Sequence, residues 1–147
     1  MTDAVVVEAL EQVGAEETAA LARLLPQLSS SAPPLDAASL ATVAGHAANT
    51  VFVARSNGEI IGACLLVVFP TTAGVRALLE DVVVDSERRG GGIGSALVNA
   101  AIAGARAAGA KTLDLTSRPS REAANRLYAR CGFERRETNV WRRELRS

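Results

Sequence analysis

The stretch VVVDSERRGGGIGSALVNAA, Val82–Ala101, decides the fold of this chain. Four of the five residues at 90–94 are glycine, and a helical pattern with Ile93 and Leu97 four residues apart follows directly. Glycines this dense weaken regular structure, so they predict a turn between a strand and a helix. Such a turn presents free N–H groups at the positive end of a helix, where an anion such as phosphate binds. Capping alone needs one glycine, so four favour a ligand.

Two common phosphate motifs do not fit these glycines. A nucleoside-triphosphate loop requires a lysine after its last glycine, and none is present. A dinucleotide fingerprint requires glycine or alanine at its sixth position, which is Ser95 counted from Gly90 and Leu97 counted from Gly92. Asp114 stands where a ribose-binding acid would belong, but the elements before the turn do not form a strand–helix–strand unit.

The elements around the turn predict one α/β domain over 1–147 with a mixed, mostly antiparallel central sheet and about four helices. Two helices are expected after a first valine-rich strand. Asn57-Gly58 then separates two apolar runs, which is a strong hairpin signal, and a third strand is expected at Val75–Asp85. Gly109 stands where the helix after the glycines should end. The remaining predicted elements are a strand in KTLDLTS, a helix in SREAANRLYARCGF and a last strand in TNVWRREL.

Composition narrows the class of protein. No apolar stretch is long enough for a membrane span, and the first residues do not resemble a signal peptide. Two distant cysteines, Cys64 and Cys131, predict reduced thiols and a cytoplasmic protein without a metal site. Net charge is zero, although residues 1–50 carry −5 and residues 118–147 carry +5. The neutral total and five aromatic residues argue against a nucleic-acid binder.

Two motifs resemble the GNAT superfamily of acyl-CoA-dependent N-acetyltransferases. Arg89-x-x-Gly92-x-Gly94 is similar to the family's pyrophosphate-loop signature. SREAANRLYARCGFE is similar to a later motif, in which an asparagine, a tyrosine and a Gly-Phe pair lie on and after a short helix; Asn125, Tyr128 and Gly132-Phe133 occupy those positions. The motifs stand in the family's order, and the resemblance extends over essentially the whole chain, with only element type matching before residue 51.

The resemblance implies an acetyl-CoA site and no metal. Backbone amides of the loop would hold the pyrophosphate, from Arg89 through Gly90, Gly91, Gly92, Ile93 and Gly94 to Ser95. Two strands would be splayed near Val82, Val83 and Val84, so that exposed backbone at Val82 and Val84 pairs with the pantetheine amides, as an added strand would. A bulge there would direct one N–H toward the thioester carbonyl. Asn125 and Tyr128 would complete the cofactor site. For Arg121, Arg126 and Arg130, a solvated charge and contact with the 3′-phosphate are alternatives.

The resemblance also implies two catalytic groups. Tyr128, whose phenol is protonated at neutral pH, would donate a proton to the departing thiolate. Glu80 is the candidate base for the acceptor amine, on the reasoning that its side chain shares a sheet face with Val82 and that Asp81 points to the other. A paired or exposed strand carboxylate explains Glu80 equally well, and Asp81 or a water chain is an alternative base. His46 is expected to be exposed or satisfied, and Cys64 to lie in the core.

The sequence therefore predicts an enzyme that transfers acetyl from acetyl-CoA to a primary amine by direct attack. The alternative is an inactive acyl-CoA-binding regulatory module. The acceptor, a small molecule or a peptide, is not identified, nor is the acyl-chain preference. Because residues 1–50 are acidic, they favour a cationic acceptor. The tryptophan in NVWRREL is compatible with a homodimer interface or with this chain's own core.

Overall fold

The computed structural model describes residues 4–146. In this range it has five strands and four helices, in the chain order β1 (Val5–Ala9), α1 (Ala15–Leu28), α2 (Ala37–Gly45), β2 (Asn49–Ser56), β3 (Glu59–Thr71), β4 (Gly74–Val84), α3 (Ile93–Ala107), β5 (Leu113–Asp114) and α4 (Glu122–Arg130). The strands form one open sheet in the order β1-β2-β3-β4-β5. The predicted fold class is confirmed, because β1 to β4 are antiparallel and β5 is parallel to β4.

Local sequence signals explain the antiparallel part of the sheet. Asn57 and Gly58 have φ of 51° and 79°, the left-handed values that a tight two-residue hairpin requires. After α3, Gly109 has φ of 88°, which ends the helix as its position in the sequence predicts. The second helix is shorter than the alanine-rich run that predicts it, since α2 ends at Gly45 and His46 is its C-cap.

The sheet has a hydrophobic cluster on each face. The α3 side includes Leu97, Val98 and Ala101, all with no exposed surface, and Tyr128 of α4 also packs there. The opposite side, covered by α1 and α2, includes Leu24 and Leu40. The apolar face of α3 thus packs on the sheet, and this packing holds the N-terminus of α3 near the end of β4.

A β-bulge interrupts β4 immediately before its valines. Leu65 pairs with Glu80 and Ala63 pairs with Val83, so β4 carries one extra residue across this interval. Asp81 has φ of 52°, which is uncommon for any residue other than glycine. A bulge of this kind changes which face the following side chains point to.

The strands β4 and β5 separate after a short contact. They pair only at Ala77↔Leu113 and Leu78↔Asp114. Within residues 4–146, the edge of β4 from Leu79 to Val84 has no strand partner on the β5 side. The two strands therefore diverge after Leu78, and the region between the end of β4 and the chain that follows β5 is here called the wedge.

The prediction of a last strand in TNVWRREL is wrong for the described chain. Residues 134–146 contain no helix or strand, and all of them are exposed. The backbone of an isolated extended segment gains nothing from strand geometry unless a neighbouring strand accepts its hydrogen bonds. The strand predicted in KTLDLTS is likewise reduced to the two residues that pair with β4. Within residues 4–146, no helix is both long enough and apolar enough to cross a membrane.

Candidate active site

The glycine-rich loop joins β4 to the N-terminus of α3. Gly90 and Gly92 have φ of 93° and 76°, and a Cβ built on either would meet no atom within 4 Å. The first backbone bond of α3 runs from the Ala96 N–H to the Gly92 carbonyl at 3.0 Å. The amides of the three residues between them thus have no acceptor within the helix. The loop presents free donors toward open space, as an anion site requires.

The glycines of this loop do not share one role. Gly90 and Gly92 allow left-handed backbone, whereas a Cβ on Gly94 would lie 2.9 Å from Leu127 Cδ2. Gly94 is therefore needed for the close approach of α4 to α3. Gly91 has no positive φ, and a Cβ there would meet only Ile93 Cδ1, at 4.0 Å. Ile93 itself is buried and anchors the start of α3 in the core.

Contacts from α1 hold the start of the loop. Arg23 Nη1 donates to Asp85 Oδ2 at 2.6 Å, and the Ser86 N–H donates to Gln27 Oε1 at 2.8 Å. The hydrogen bond from Arg23 is the main cause that lowers the pKa of the Asp85 carboxyl, and a hydrogen bond from the Glu87 amide adds to it. Asp85 is thus an ionised structural carboxylate that is paired with the Arg23 guanidinium.

The two arginines beside the glycines have different surroundings. Arg88 Nη2 lies 3.7 Å from Glu59 Oε2, so its charge is directed to β3 and away from the loop. Arg89 is exposed, and its Nε lies 3.5 Å from the Val84 carbonyl. Of the pair, Arg89 is the one placed to add positive charge at the end of the wedge.

The valines at the end of β4 present backbone groups to the wedge. The Asp85 N–H donates to the Ile61 carbonyl across β3 at 2.8 Å. Because successive residues of a strand direct their backbone groups to alternate edges, the N–H and C=O groups of Val82 and Val84 point toward the wedge. The side chains of Val82 and Val84 pack on the α3 cluster, and Val83 is buried in the α1 cluster.

Tyr128 lies on the α3 side of the sheet, in the last turn of α4. Its ring is 9% exposed and packs edge-on against Phe133, with centroids 5.9 Å apart. Burial raises the pKa of its phenol, so the hydroxyl stays protonated well above neutral pH. The hydroxyl makes no hydrogen bond within residues 4–146 and is not among the fully buried unpartnered atoms, so it remains accessible.

Glu80 lies on the opposite side of the sheet from Val82, which corrects the expectation that they share a face. Glu80 pairs with Leu65, which packs on the α1 cluster, whereas Val82 packs on the α3 cluster. The extra residue in the bulge is the physical reason. Burial, and then the neighbouring charge of Asp81, raise the pKa of the Glu80 carboxyl, although this side chain is largely exposed.

Asp81 also lies on the α1 side of the sheet, on the same side as Glu80, although the two side chains were expected on opposite faces. It lines a cavity of about 300 Å³ between the end of α1 and the loop before α2. The other lining residues are apolar or small: Leu25, Leu28, Ser29, Ala32, Pro33, Pro34, Leu35 and Ser39. Asp81 is the charged residue in this set.

Ser117 lies in the chain that follows β5, and Asn125 lies in the first half of α4. Asn125 Nδ2 donates to the Arg118 carbonyl at 2.9 Å, so half of its amide fixes the start of α4. Ser117 follows β5, and its Oγ is buried without a partner, the one such side-chain atom found in residues 4–146. Sequence reasoning missed Ser117, because no motif marks it, and also missed Arg23, although it is the lone basic residue before residue 51.

The remaining candidates lie apart from this chemistry. Cys64 is buried, and burial raises the pKa of its thiol to about 12, which keeps it a neutral core residue. Cys131 is a free, partly buried thiol. His46 is exposed and its Nδ1 accepts from the Ala48 N–H at 3.1 Å. Among the described residues, no group of three or more His, Cys, Asp and Glu side chains is arranged to hold a metal ion.

Comparison with known families and curated proteins agrees with this geometry. The model of the acetyltransferase (GNAT) family matches residues 11–133. A glucosamine 6-phosphate N-acetyltransferase of Trypanosoma brucei brucei is 40% identical over 75 residues, which cover 46% of this chain and 51% of that protein. The match thus spans about half the length of the curated relative.

Solved structures share the fold over nearly the whole chain. A putative acetyltransferase from Agrobacterium tumefaciens is 29% identical with a TM-score of 0.83, covering 95% of this chain and 99% of that one. An aminoglycoside N-acetyltransferase solved in complex with CoA has a TM-score of 0.80 at 17% identity, covering 99% of this chain and 97% of that one. At that identity the second likeness shows the fold alone.

Proposed function

The chain belongs to the acetyltransferase (GNAT) family, and from this premise we propose that it transfers an acetyl group from acetyl-CoA to a primary amine by direct attack. The wedge is the observation that carries the proposal. The unpaired edge of β4 ends at the free amides of α3, so one continuous row of backbone donors and acceptors leads from the sheet to the anion site. A ligand with amide groups and a pyrophosphate matches that row.

The residues present fit acetyl-CoA. The amides at 93–95 and the exposed Arg89 would hold its pyrophosphate, and Val82 and Val84 would pair with its pantetheine amides. Acetyl-CoA would supply the acetyl group as an activated thioester.

Two side chains on opposite sides of the sheet would move the protons. Glu80, on the α1 side, takes a proton from the acceptor ammonium, so that the amine can act as a nucleophile. The raised pKa of the Glu80 carboxyl is closer to neutral pH, where a general base is most effective. Tyr128, on the α3 side, donates its phenolic proton to the departing sulfur and remains a good donor because burial disfavours the phenolate.

The cavity beside Asp81 supports an acceptor with an amine on an apolar stem. Its lining is mostly apolar, and its charge is the single carboxylate of Asp81. An ammonium would be attracted to that carboxylate, whereas the phosphate of a sugar phosphate would be repelled. The name of the Trypanosoma relative gives glucosamine 6-phosphate as its acceptor, and the lining of this cavity favours a different one.

A turnover assay tests the proposal. Purified protein is incubated with acetyl-CoA and a panel containing an alkylamine, an arylalkylamine, a polyamine, an aminoglycoside, a peptide N-terminus and glucosamine 6-phosphate. We expect thiol release and an N-acetylated product, detected by mass spectrometry, with a cationic amine on an apolar stem as the best acceptor. Tight acetyl-CoA binding without turnover of any amine would favour the inactive acyl-CoA-binding module.

The Asp81→Asn variant isolates the charge in the cavity. Asparagine tolerates the left-handed backbone of this position as well as aspartate does, so the bulge should keep its shape. We expect a higher KM for the amine and unchanged acetyl-CoA affinity. An unchanged amine KM would exclude Asp81 from acceptor binding, and Glu16→Gln on the exposed first turn of α1 serves as a charge-matched control.

A further inference from the structure

The glycine-rich loop makes few contacts that would fix its shape. Within residues 4–146, the backbone of Gly90 and Gly91 takes part in no hydrogen bond, and a Cβ on Gly90 would meet no atom within 4 Å. Glycine backbone also loses more conformational entropy than any other when it is fixed. The shape of the loop therefore depends on its two ends, and Ile93 holds the second end by its burial in the α3 cluster.

The first end of the loop is a short 3-10 turn, Ser86–Arg88, which begins from Asp85. Asp85 is 6% exposed and is the one buried charged residue found in residues 4–146. Its Oδ1 accepts from the Glu87 N–H at 3.2 Å, and its carbonyl accepts from the Arg88 N–H at 2.9 Å. Contacts that fix Asp85 therefore fix the turn from which the glycines begin.

Two side chains of α1 hold this turn. Arg23 and Gln27 are four residues apart, so they lie on one face of the helix. The Arg23 guanidinium donates from Nη1 to Asp85 Oδ2 at 2.6 Å and from Nη2 to the Ile60 carbonyl at 3.3 Å. Gln27 Oε1 accepts from the Ser86 N–H at 2.8 Å. One helix face thus joins the start of β3 to the turn before the glycines.

Arg23 is the only basic residue in residues 1–50, which carry six acidic ones. Its Nη2 also lies 3.7 Å from Glu59 Oε1, and the other carboxylate oxygen of Glu59 lies 3.7 Å from Arg88 Nη2. A guanidinium can bond several acceptors at once, because its donors form a planar fork. Arg23 is therefore suited to connect α1, β3 and the turn.

Helix α1 does not need these two side chains to stay on the sheet. Leu21 and Leu24 are buried and pack in the α1 cluster. Arg23 and Gln27 are exposed residues and belong to neither hydrophobic cluster. Their substitution should therefore release the turn while the helix stays in place.

We propose that Arg23 and Gln27 are positioning residues for acetyl-CoA, which hold the loop in its anion-binding shape without touching the cofactor. This role rests on the proposed function, in which the loop receives the pyrophosphate. A loop that is already in its bound shape avoids the entropy cost of being ordered on binding, so both contacts increase affinity. Their hydrogen-bond partners do not include Glu80 or Tyr128, so the rate of the bound complex should not depend on them.

Calorimetric titration with acetyl-CoA and steady-state kinetics test this role. Arg23→Met and Gln27→Met should raise the dissociation constant about 10-fold and about 5-fold, the factors expected for one partly exposed charge-assisted hydrogen bond and one neutral one. In both variants kcat at saturating acetyl-CoA should stay nearly unchanged. Arg76→Met removes a similarly exposed arginine at the other end of β4 and should leave both constants unchanged.

Two variants separate position from charge. Gln27→Met alters no charge, so a loss of affinity in this variant comes from the released turn. Arg23→Met leaves the Asp85 carboxylate without its cation, whereas Arg23→Met combined with Asp85→Asn also removes that carboxylate and should bind acetyl-CoA as weakly as Arg23→Met alone. Recovery of affinity in the double variant would contradict positioning and assign the effect to charge repulsion.

The melting temperature and hydrogen exchange show whether Gln27→Met acts locally. Because Gln27 is exposed, the substitution should shift the melting temperature by no more than about 2 °C. In the ligand-free variant, amide exchange should be faster at Ser86–Arg88 and unchanged in α1. Unchanged acetyl-CoA affinity in both Arg23→Met and Gln27→Met would overturn the positioning role and leave the proposed function intact. An unmodified protein that does not bind acetyl-CoA would overturn the proposed function, and the positioning role with it.

Discussion

Gly92→Asp gives the sharpest test of the anion site, because Gly109 provides a matched control at the other end of the same helix. Gly92 and Gly109 have φ of 76° and 88°, and a Cβ on either meets no atom within 4 Å. An L-residue in this conformation costs about 1 kcal/mol of folding free energy. Gly92→Asp and Gly109→Asp should therefore each lower the melting temperature by about 2–4 °C, with Gly109→Asp at the upper end, because the helix dipole disfavours a carboxylate at the C-terminus and favours one at the N-terminus.

The two variants should differ sharply in acetyl-CoA binding. A carboxylate at residue 92 would stand beside the free amides that receive the pyrophosphate. At a separation of about 5 Å and an effective dielectric constant near 20, one pair of like charges repels by about 3 kcal/mol. That corresponds to a dissociation constant raised about 100-fold. At Gly109 the same carboxylate lies a helix length away, so the affinity should stay close to that of the unmodified protein.

Isothermal titration calorimetry with acetyl-CoA measures both constants. Gly92→Ala separates shape from charge, because it adds the Cβ without the carboxylate, and it should give an intermediate affinity. If folded Gly92→Asp bound acetyl-CoA as tightly as the unmodified protein, the loop would not be the pyrophosphate site. If Gly109→Asp lowered acetyl-CoA affinity as much as Gly92→Asp does, the loss would come from reduced fold stability and not from charge in the loop. That result would also refute the assignment of the loop as the pyrophosphate site.

Three further predictions concern the catalytic groups and the anchor of the loop. Glu80→Gln should lower kcat/KM about 100-fold or more. The activity of the unmodified enzyme should fall as pH drops through the raised pKa of Glu80, and the substitution should remove that fall. If the variant kept the same loss of activity at low pH, the base would be a group other than Glu80. Tyr128→Phe should lower kcat by a similar factor while acetyl-CoA affinity and the melting temperature hold, since the hydroxyl has no hydrogen bond within residues 4–146; a parallel loss of affinity would point to a binding role. Arg23→Met should cost about 1–2 kcal/mol of unfolding free energy at pH 7, discounted because Arg23 is partly exposed. Because the pKa of Asp85 is lowered in the folded state, this difference should be present above the unfolded pKa of about 4 and vanish as pH falls through the folded value, which denaturant melts at several pH values would show.

The features that sequence reasoning predicted are those encoded by neighbouring residues. The Asn57-Gly58 hairpin, the glycine turn and the stripe of α3 each depend on local backbone preference or periodicity, and each has the predicted structure. Tyr128 is likewise placed by a short motif on a short helix. In such cases the physical cause lies within about ten residues of sequence.

The features that were missed depend on pairs of residues far apart in sequence. The facing of Glu80 was predicted wrongly, because it was argued from period-two alternation, which the bulge between Glu80 and Val83 interrupts; the resemblance implied a bulge in this strand, but its position is a property of the register between β3 and β4. The Arg23–Asp85 contact joins residues 62 positions apart. The last strand predicted in TNVWRREL is absent from the described residues, because strand formation requires an acceptor edge, which the sequence of the segment does not specify.

The single extra residue in β4 also bears on the order of events in catalysis. It directs Glu80 and the Asp81 cavity to one side of the sheet, while the side chains of Val82 and Val84 and Tyr128 lie on the other. Two substrates that enter from opposite sides need not displace each other, so both can be bound when the acetyl group moves. The spent CoA and the acetylated amine would then leave by separate routes, and neither release would have to wait for the other.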